Sequence, residues 1–148
     1  ENVAGIVGMA RALEVAHEDM DDCRRVTSEL AAAFVSGAVS RVAGTRVNSP
    51  EDGLPGTVNL SFADVEGESL VLGFDLEGIC LSTGSACASG SMEPSHVVRA
   101  MGIGDDLARG TLRFSFGRGN TIEDVRDTLD VLERLVARCR KRAAAGTG

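Results

Sequence analysis

The run Thr111-Leu112-Arg113-Phe114-Ser115-Phe116 alternates apolar and polar side chains with a period of two. This alternation is typical of a half-buried strand, because successive side chains of a strand point to opposite faces of the sheet. The three apolar side chains therefore share one face, and Arg113 and Ser115 share the other. The run predicts a sheet with one packed face and one open polar face.

The flanking segments predict a second strand and several helices that cover this sheet. Residues 57–62 alternate in the same way, and apolar residues recur at helical spacing from Val3 to a point before Gly44, as one long helix or two joined by a bend. We expect an α+β domain: a small, mostly antiparallel or mixed sheet covered on one face by helices and entered by a long N-terminal helix. Further strands are predicted at 45–48 and 78–81, and further helices at 66–76, 94–101, 105–108 and from Asn120 or Thr121 onward.

Composition restricts the class of protein. The chain has 148 residues, of which 43% are hydrophobic and 25% are charged, as in a globular protein, and its net charge is −7. The negative charge argues against a nucleic-acid surface, and no run of residues has the length of a membrane span or the pattern of a secretory signal. We expect one domain at residues 1–142, a flexible tail at 143–148, reduced cysteines and a cytoplasmic location.

Cys87 lies among small residues, in the run Leu-Ser-Thr-Gly-Ser-Ala-Cys-Ala-Ser-Gly-Ser at positions 81–91. Glycine and serine favour loops, and a thiol on a loop is accessible to a substrate. The run predicts either a nucleophile or an incidental cysteine in a small-residue turn. Cys80 lies between two aliphatic residues and is predicted to be a buried small hydrophobe. A zinc site built from Cys80, Cys87 and His96 lacks a fourth ligand and compact spacing, and is disfavoured.

The basic residues are almost all arginine. Fourteen of the fifteen are Arg, and Lys141 is the only lysine. Chemistry that needs a Schiff-base amine must therefore use Lys141 or a lysine from elsewhere. Lys141 lies in the basic run 138–142, which follows a predicted helix and is expected to complement the helix dipole. It is a poor candidate for a Schiff base.

Four ordered motifs carry a resemblance to a known family. They are Val-Glu-Gly-Glu-Ser-Leu at 65–70, Ser-Thr-Gly-Ser-Ala-Cys at 82–87, Glu-Pro-Ser-His-Val-Val-Arg-Ala-Met-Gly at 93–102 and Leu-Arg-Phe-Ser-Phe-Gly-Arg at 112–118. The chain resembles the cysteine desulfurases of the NifS/IscS group, which are fold-type I, pyridoxal-phosphate-dependent enzymes of the class V aminotransferase type. The similarity runs from residue 1 to about residue 139 and corresponds to the C-terminal small domain of the family only.

This resemblance implies roles for two residues. Cys87 would accept sulfur from L-cysteine as a persulfide, with release of L-alanine, and Arg113 would hold the substrate α-carboxylate through its two parallel N–H groups. The alternative for Arg113 is a structural salt bridge. Arg99 and Arg118 are predicted to form ordinary ion pairs, and His96 to have a structural role.

The resemblance also implies a cofactor and partners. Pyridoxal phosphate would be bound by the full-length parent, a homodimer, and none is expected to be bound to this fragment, which should be inactive alone. The sulfur would pass to an acceptor or an iron–sulfur scaffold protein, for iron–sulfur cluster assembly or tRNA thiolation. Two alternatives stay open: a sulfur-relay module that works without pyridoxal phosphate, and a non-catalytic interaction domain.

Overall fold

Three antiparallel strands form the sheet, in the order β1-β2-β3. Strand β1 is Thr45–Val47, β2 is Thr57–Phe62 and β3 is Thr111–Ser115. In register, Thr45 lies opposite Phe62, and Thr57 lies opposite Ser115. The computed structural model describes residues 1–83 and 95–146 of the chain. The α+β class and the two alternating strands expected from the sequence are therefore confirmed.

Helices account for most of the remaining described residues. They are α1 (Val3–Glu18), α2 (Met20–Arg41), α3 (Gly67–Leu76), α4 (His96–Ala100), α5 (Asp105–Arg109) and α6 (Ile122–Gly146). The N-terminal helical segment divides at Asp19, which confirms the bend rather than a single helix. Helices α2, α3 and α6 pack on the apolar face of the sheet and on one another.

Phe114 lies at the centre of the core. Its ring centroid is 4.4 Å from that of Phe34 on α2 and 6.2 Å from that of Phe74 on α3, and all three side chains are buried. Burial of each such side chain stabilises the fold by about 1.5–3 kcal/mol. One residue of β3 thus joins the sheet to two helices.

Helix α1 contributes nothing to this core. None of its residues is buried, and Val3, Ile6, Val7 and Leu13 are each more than half exposed. Since burial of an apolar face supplies most of the stability of a helix in a protein, α1 depends on its own backbone hydrogen bonds and its short contact with α2.

A capping box begins α6. The backbone N–H of Thr121 donates to Asp124 Oδ2 at 2.8 Å, and the backbone N–H of Asp124 donates to Thr121 Oγ1 at 3.2 Å. The first of these bonds, with a weaker one from the Asn120 side chain, holds the pKa of Asp124 below its ordinary value. The start of α6 agrees with the predicted cap at Thr121, and the helix continues to Gly146.

Two expectations about residues 78–81 are wrong. These residues form no strand, and a bridge is made next to them by Ser82 with Arg113. Cys80 is exposed rather than buried. The reason is that Ile79 and Leu81 pack against the core from an extended chain, so the residue between them points the other way.

Arg140 joins the C-terminal half of α6 to the sheet. Its Nε and Nη2 groups donate to the carbonyl oxygen of Ala63 at 3.1 and 2.8 Å, and Nη2 also donates to the carbonyl oxygen of Ala43 at 2.8 Å. These carbonyls follow β2 and precede β1, where no strand partner satisfies them. The basic run 138–142 therefore contains at least one arginine that is bound to the backbone of the domain.

Among the residues that the structure describes, no helix combines the length and apolar character needed to cross a membrane. Cys23 and Cys139 are half-buried and carry free thiols, as does exposed Cys80. The reduced state expected for these three cysteines is consistent with this arrangement.

Replacing Arg140 with Met is expected to lower the free energy of unfolding by about 2 kcal/mol, because hydrogen bonds to a charged group are lost and two carbonyls are left unpaired. Urea unfolding of the 148-residue chain, followed by circular dichroism, measures this change. Arg138→Met is the matched control, since Arg138 is exposed on the same helix. Equal effects of the two substitutions would contradict the role of Arg140.

Candidate functional site

Arg113 lies in the middle of β3, on the face of the sheet opposite to helices α2, α3 and α6. Its side chain is exposed, whereas Leu112 and Phe114 on either side of it are buried. The position expected from the alternation of β3 is therefore confirmed. The guanidinium group projects from the open polar face.

The backbone of Arg113 holds the segment that leads to the predicted nucleophile. The N–H of Arg113 donates to the carbonyl oxygen of Ser82 at 2.7 Å, and the N–H of Ser82 donates to the carbonyl oxygen of Arg113 at 3.4 Å. Ser82 thus extends the sheet beyond β3 at this one position. Cys87 belongs to residues 84–94, which lie outside the described part of the chain, so its predicted role stays a prediction.

On the other side of Arg113, a chain of hydrogen bonds runs across the polar face. Asn48 Nδ2 donates to Asn59 Oδ1 and to Ser61 Oγ, both at 2.8 Å. Ser61 Oγ is 2.7 Å from Thr111 Oγ1, and Thr111 Oγ1 donates to the carbonyl oxygen of Leu107 at 3.3 Å. The sequence analysis did not identify these residues as part of a site. The alternation of residues 57–62 was the signal that places Asn59 and Ser61 on the face of Arg113.

The start of α3 lies close against β3 and the end of α5. A Cβ atom on Gly67 would lie 3.0 Å from the carbonyl oxygen of Arg109 and 3.1 Å from that of Thr111. It would also lie 3.6 Å from the Thr83 methyl group. The glycine of the Val-Glu-Gly-Glu motif therefore allows the start of α3 to lie against the start of β3 and against Thr83. Thr83 precedes Cys87 by four residues.

Most of the other arginines singled out from the sequence form ion pairs. Arg99 Nε lies 2.9 Å from Asp105 Oδ1, and Arg118 Nη1 lies 2.8 Å from Asp19 Oδ2. The structural interpretation of Arg99 and Arg118 is therefore confirmed. Arg113, by contrast, has no ion-pair or side-chain hydrogen-bond partner within residues 1–83 and 95–146. The salt-bridge interpretation of Arg113 finds no support in this part of the chain.

The described residues do not fit a covalently bound pyridoxal phosphate. Lys141, the only lysine in the sequence, is exposed on α6. An exposed amine on a helix surface is not desolvated, and desolvation is what activates a lysine for Schiff-base chemistry. The part of the chain described here also contains no group of three or more His, Cys, Asp or Glu side chains placed to hold a metal ion. His96 is exposed, and its predicted structural role stays a prediction.

Comparison with known proteins identifies relatives over nearly the whole chain. The family model described as aminotransferase class-V matches residues 1–128. The chain is 47% identical over 141 residues to the cysteine desulfurase IscS of Dictyoglomus turgidum, which covers 95% of this chain and 36% of that protein. It is 42% identical over 144 residues to the IscS of Clostridium botulinum, with 95% and 36% covered. The chain thus spans about a third of the length of these relatives.

The fold is also found among solved structures. A protein described as NifS-like superimposes with a TM-score of 0.78 at 32% identity, over 93% of this chain and 34% of that one. The cysteine desulfurase CsdA of Escherichia coli superimposes with a TM-score of 0.69 at 25% identity, over 93% of this chain and 31% of that one. The resemblance read from the four motifs is confirmed.

Because the Arg113 side chain is exposed and unpaired in the described structure, Arg113→Ala is expected to change the free energy of unfolding by less than about 0.5 kcal/mol. Chemical unfolding of the 148-residue chain measures this. The neighbouring substitution Phe114→Ala is the contrast, and it should cost about 3–5 kcal/mol because it empties the core between two helices. A loss of more than 1 kcal/mol in Arg113→Ala would indicate a structural arginine instead.

Proposed function

The chain belongs to the aminotransferase class-V family, and from this premise we propose that it is the sulfur-accepting and carboxylate-binding part of a cysteine desulfurase. The observation that carries the proposal is the exposed Arg113 guanidinium, which has no partner within residues 1–83 and 95–146, on the residue whose backbone is bonded to Ser82. Cys87 follows Ser82 by five residues. The relatives that match nearly the whole chain are named cysteine desulfurases.

Arg113 is suited to hold the α-carboxylate of L-cysteine. A guanidinium group presents two parallel N–H donors that match the two oxygens of a carboxylate, which fixes the orientation of the substrate as well as its position. An arginine already paired with Asp or Glu would have to exchange that partner for the substrate. Arg113 has no such partner in the described structure, so its donors are available.

Chain length keeps Cys87 within reach of this carboxylate site. Five residues of fully extended chain span at most about 17 Å, so the thiol is confined to a sphere of that order around Ser82. Ser82 is itself held to Arg113 by two backbone hydrogen bonds. The covalent connection therefore supports a substrate held at Arg113 with its sulfur directed to Cys87.

The sulfur transfer is balanced without a further oxidant or reductant. The Cys87 thiolate attacks the sulfur of L-cysteine, an S–S bond forms and the Cβ–S bond breaks. The electron pair of the broken bond stays with the carbon fragment, which takes up a proton and leaves as L-alanine. Cys87 is left as a persulfide, and its outer sulfur is available to an acceptor.

Pyridoxal phosphate, which supplies an electron sink for breaking such a bond, would have to be held by a lysine outside these 148 residues. We propose that residues 1–142 are the small domain of a longer, homodimeric, cytoplasmic enzyme and that 143–148 are a tail. The sulfur would serve iron–sulfur cluster assembly or tRNA thiolation through an acceptor or scaffold protein.

The absence of a suitable lysine from the sequence also favours one alternative, a relay module that receives a persulfide on Cys87 from another protein. Incubating the 148-residue chain with a small-molecule persulfide donor and mapping adducts by mass spectrometry distinguishes this alternative from a non-catalytic interaction domain. The relay alternative requires an adduct on Cys87 above the level on Cys23 and Cys139. A purely non-catalytic interaction domain requires none.

In the full-length enzyme, Cys87→Ser is expected to abolish persulfide formation, because a serine hydroxyl does not form a bond to sulfur under these conditions. Single-turnover assays with L-cysteine and mass spectrometry of the protein measure this. The absorbance of the bound cofactor should be unchanged. Cys80→Ser, which removes an exposed thiol seven residues earlier, is the matched control and should transfer sulfur normally.

Arg113→Lys is expected to raise the KM for L-cysteine about tenfold in the full-length enzyme, because a single ammonium cannot bind both carboxylate oxygens. Steady-state kinetics measures this change. The control is Arg118→Lys, which makes the same replacement at an arginine paired with Asp19. An unchanged KM in Arg113→Lys would contradict the carboxylate role.

A further inference from the structure

Asn59 is the cross-strand neighbour of Arg113, and the two side chains lie on the same open face. The backbone N–H and C=O of Arg113 are both bonded to Ser82. Those of Asn59 are bonded on its opposite side, the N–H to Ser49 Oγ at 2.8 Å and the C=O to the N–H of Asn48 at 2.9 Å. Asn59 and Arg113 are therefore a non-hydrogen-bonded pair, the kind whose Cα atoms are only about 4.5 Å apart.

The direction of the hydrogen-bond chain determines which end of the Asn59 amide is free. Thr111 Oγ1 donates its proton to the carbonyl of Leu107, so it accepts from Ser61 Oγ, and Ser61 Oγ in turn accepts from Asn48 Nδ2. The second N–H of Asn48 donates to Asn59 Oδ1. The oxygen of Asn59 is thus occupied, and its Nδ2 amino group is left without a partner among the described residues.

The opposite orientation of the two amides is less favourable. In the present arrangement Asn48 Oδ1 is buried without a hydrogen bond. Rotating both amides would bury the Asn48 amino group instead, with two unpaired N–H donors. Unpaired buried donors are rarer than unpaired acceptors, and the Leu107 carbonyl would lose its donor as well.

The open face of the sheet has the chemistry of an anion site. It carries Arg46, Asn59, Ser61, Thr111, Arg113 and Ser115, and none of these side chains is acidic. This is notable in a chain with 22 Asp and Glu residues and a net charge of −7. Ser61 and Thr111 are buried and bonded within the domain, so the side chains of this set that a carboxylate meets near Arg113 are neutral or basic.

We propose that Asn59 is a second substrate-binding residue, whose Nδ2 group donates to the same α-carboxylate that Arg113 holds. The inference rests on the proposed function, which supplies the carboxylate. Asn48, held by Ser61 and Thr111, is a positioning residue that keeps the Asn59 amide with its amino group outward. The site then distinguishes an amino acid from the corresponding amine through two side chains on adjacent strands.

The experiment compares two ligands that differ only in the carboxylate. Binding of L-alanine and of ethylamine to the full-length, cofactor-loaded protein is measured by isothermal titration calorimetry. Asn59→Ala is expected to weaken L-alanine binding about tenfold, the loss of a hydrogen bond to a charged group, and to leave ethylamine binding within about twofold of the unmodified protein. A residue with only a structural role would weaken both ligands equally, which would overturn the proposal.

Two further variants keep the result interpretable. Asn59→Asp retains the acceptor for Asn48 and nearly the shape of the side chain but replaces the amino donor by an anion, so it should weaken L-alanine more than Asn59→Ala does and should not weaken ethylamine. Ser40→Ala removes an exposed hydroxyl group from α2, outside this face, and should change neither affinity. Full binding of L-alanine by both Asn59 variants would also overturn the proposal.

The Arg113 variant separates this inference from the function on which it rests. If Arg113→Lys weakens L-alanine selectively and Asn59→Ala does not, the carboxylate site stands and the role of Asn59 fails. If neither substitution changes the preference for L-alanine over ethylamine, the assignment of the carboxylate site to this face of the sheet fails with it.

Discussion

The alternation of β3 is the constraint on which the rest of the structure depends. Phe114 enters the core between Phe34 and Phe74, so its neighbour Arg113 must emerge on the other face. A shift of one residue in the pairing of β3 would bury the guanidinium and expose the phenyl ring, at a cost of several kcal/mol. The hydrophobic core therefore determines on which face of the sheet the guanidinium group lies.

Backbone hydrogen bonds extend this constraint to both sides of Arg113. On one side its N–H and C=O are bonded to Ser82, and on the other Asn59 is bonded outward to Asn48 and Ser49. Residues 48–49, 59, 113 and 82 thus lie side by side in one row across the sheet. The segment that continues to Cys87 therefore starts at a position fixed by the packing of β3. A binding residue on a strand held in this way is rigidly supported.

The three strands of the sheet, the helices and the face of Arg113 were predictable from local periodicity, whereas the strand expected at 78–81 does not form. The exposure of Cys80 was predicted wrongly, because its aliphatic neighbours pack on the core from an extended chain and the side chain between them points outward. Local sequence pattern could not predict the hydrogen bonds among four polar side chains of the sheet, Asn48, Asn59, Ser61 and Thr111. They depend on strand pairing between residues 11 to 50 positions apart, and polar alternation shows only that such side chains share a face.

Arginine has two distinct physical settings in this domain. One arginine is bound to the backbone of the fold, and another has its donors exposed to solvent. Arg140 is half-buried, and its planar group bonds two carbonyls that no strand satisfies, which an ammonium on a flexible stem would do less well. Arg113 presents the same donors to solvent, and none of the paired strand residues on its face is acidic. In a chain with a net charge of −7, the carboxylate binding that we propose for this face depends on neighbours on the sheet that are neutral or basic. The specificity that we propose therefore depends on the composition of the polar face as well as on the Arg113 guanidinium group.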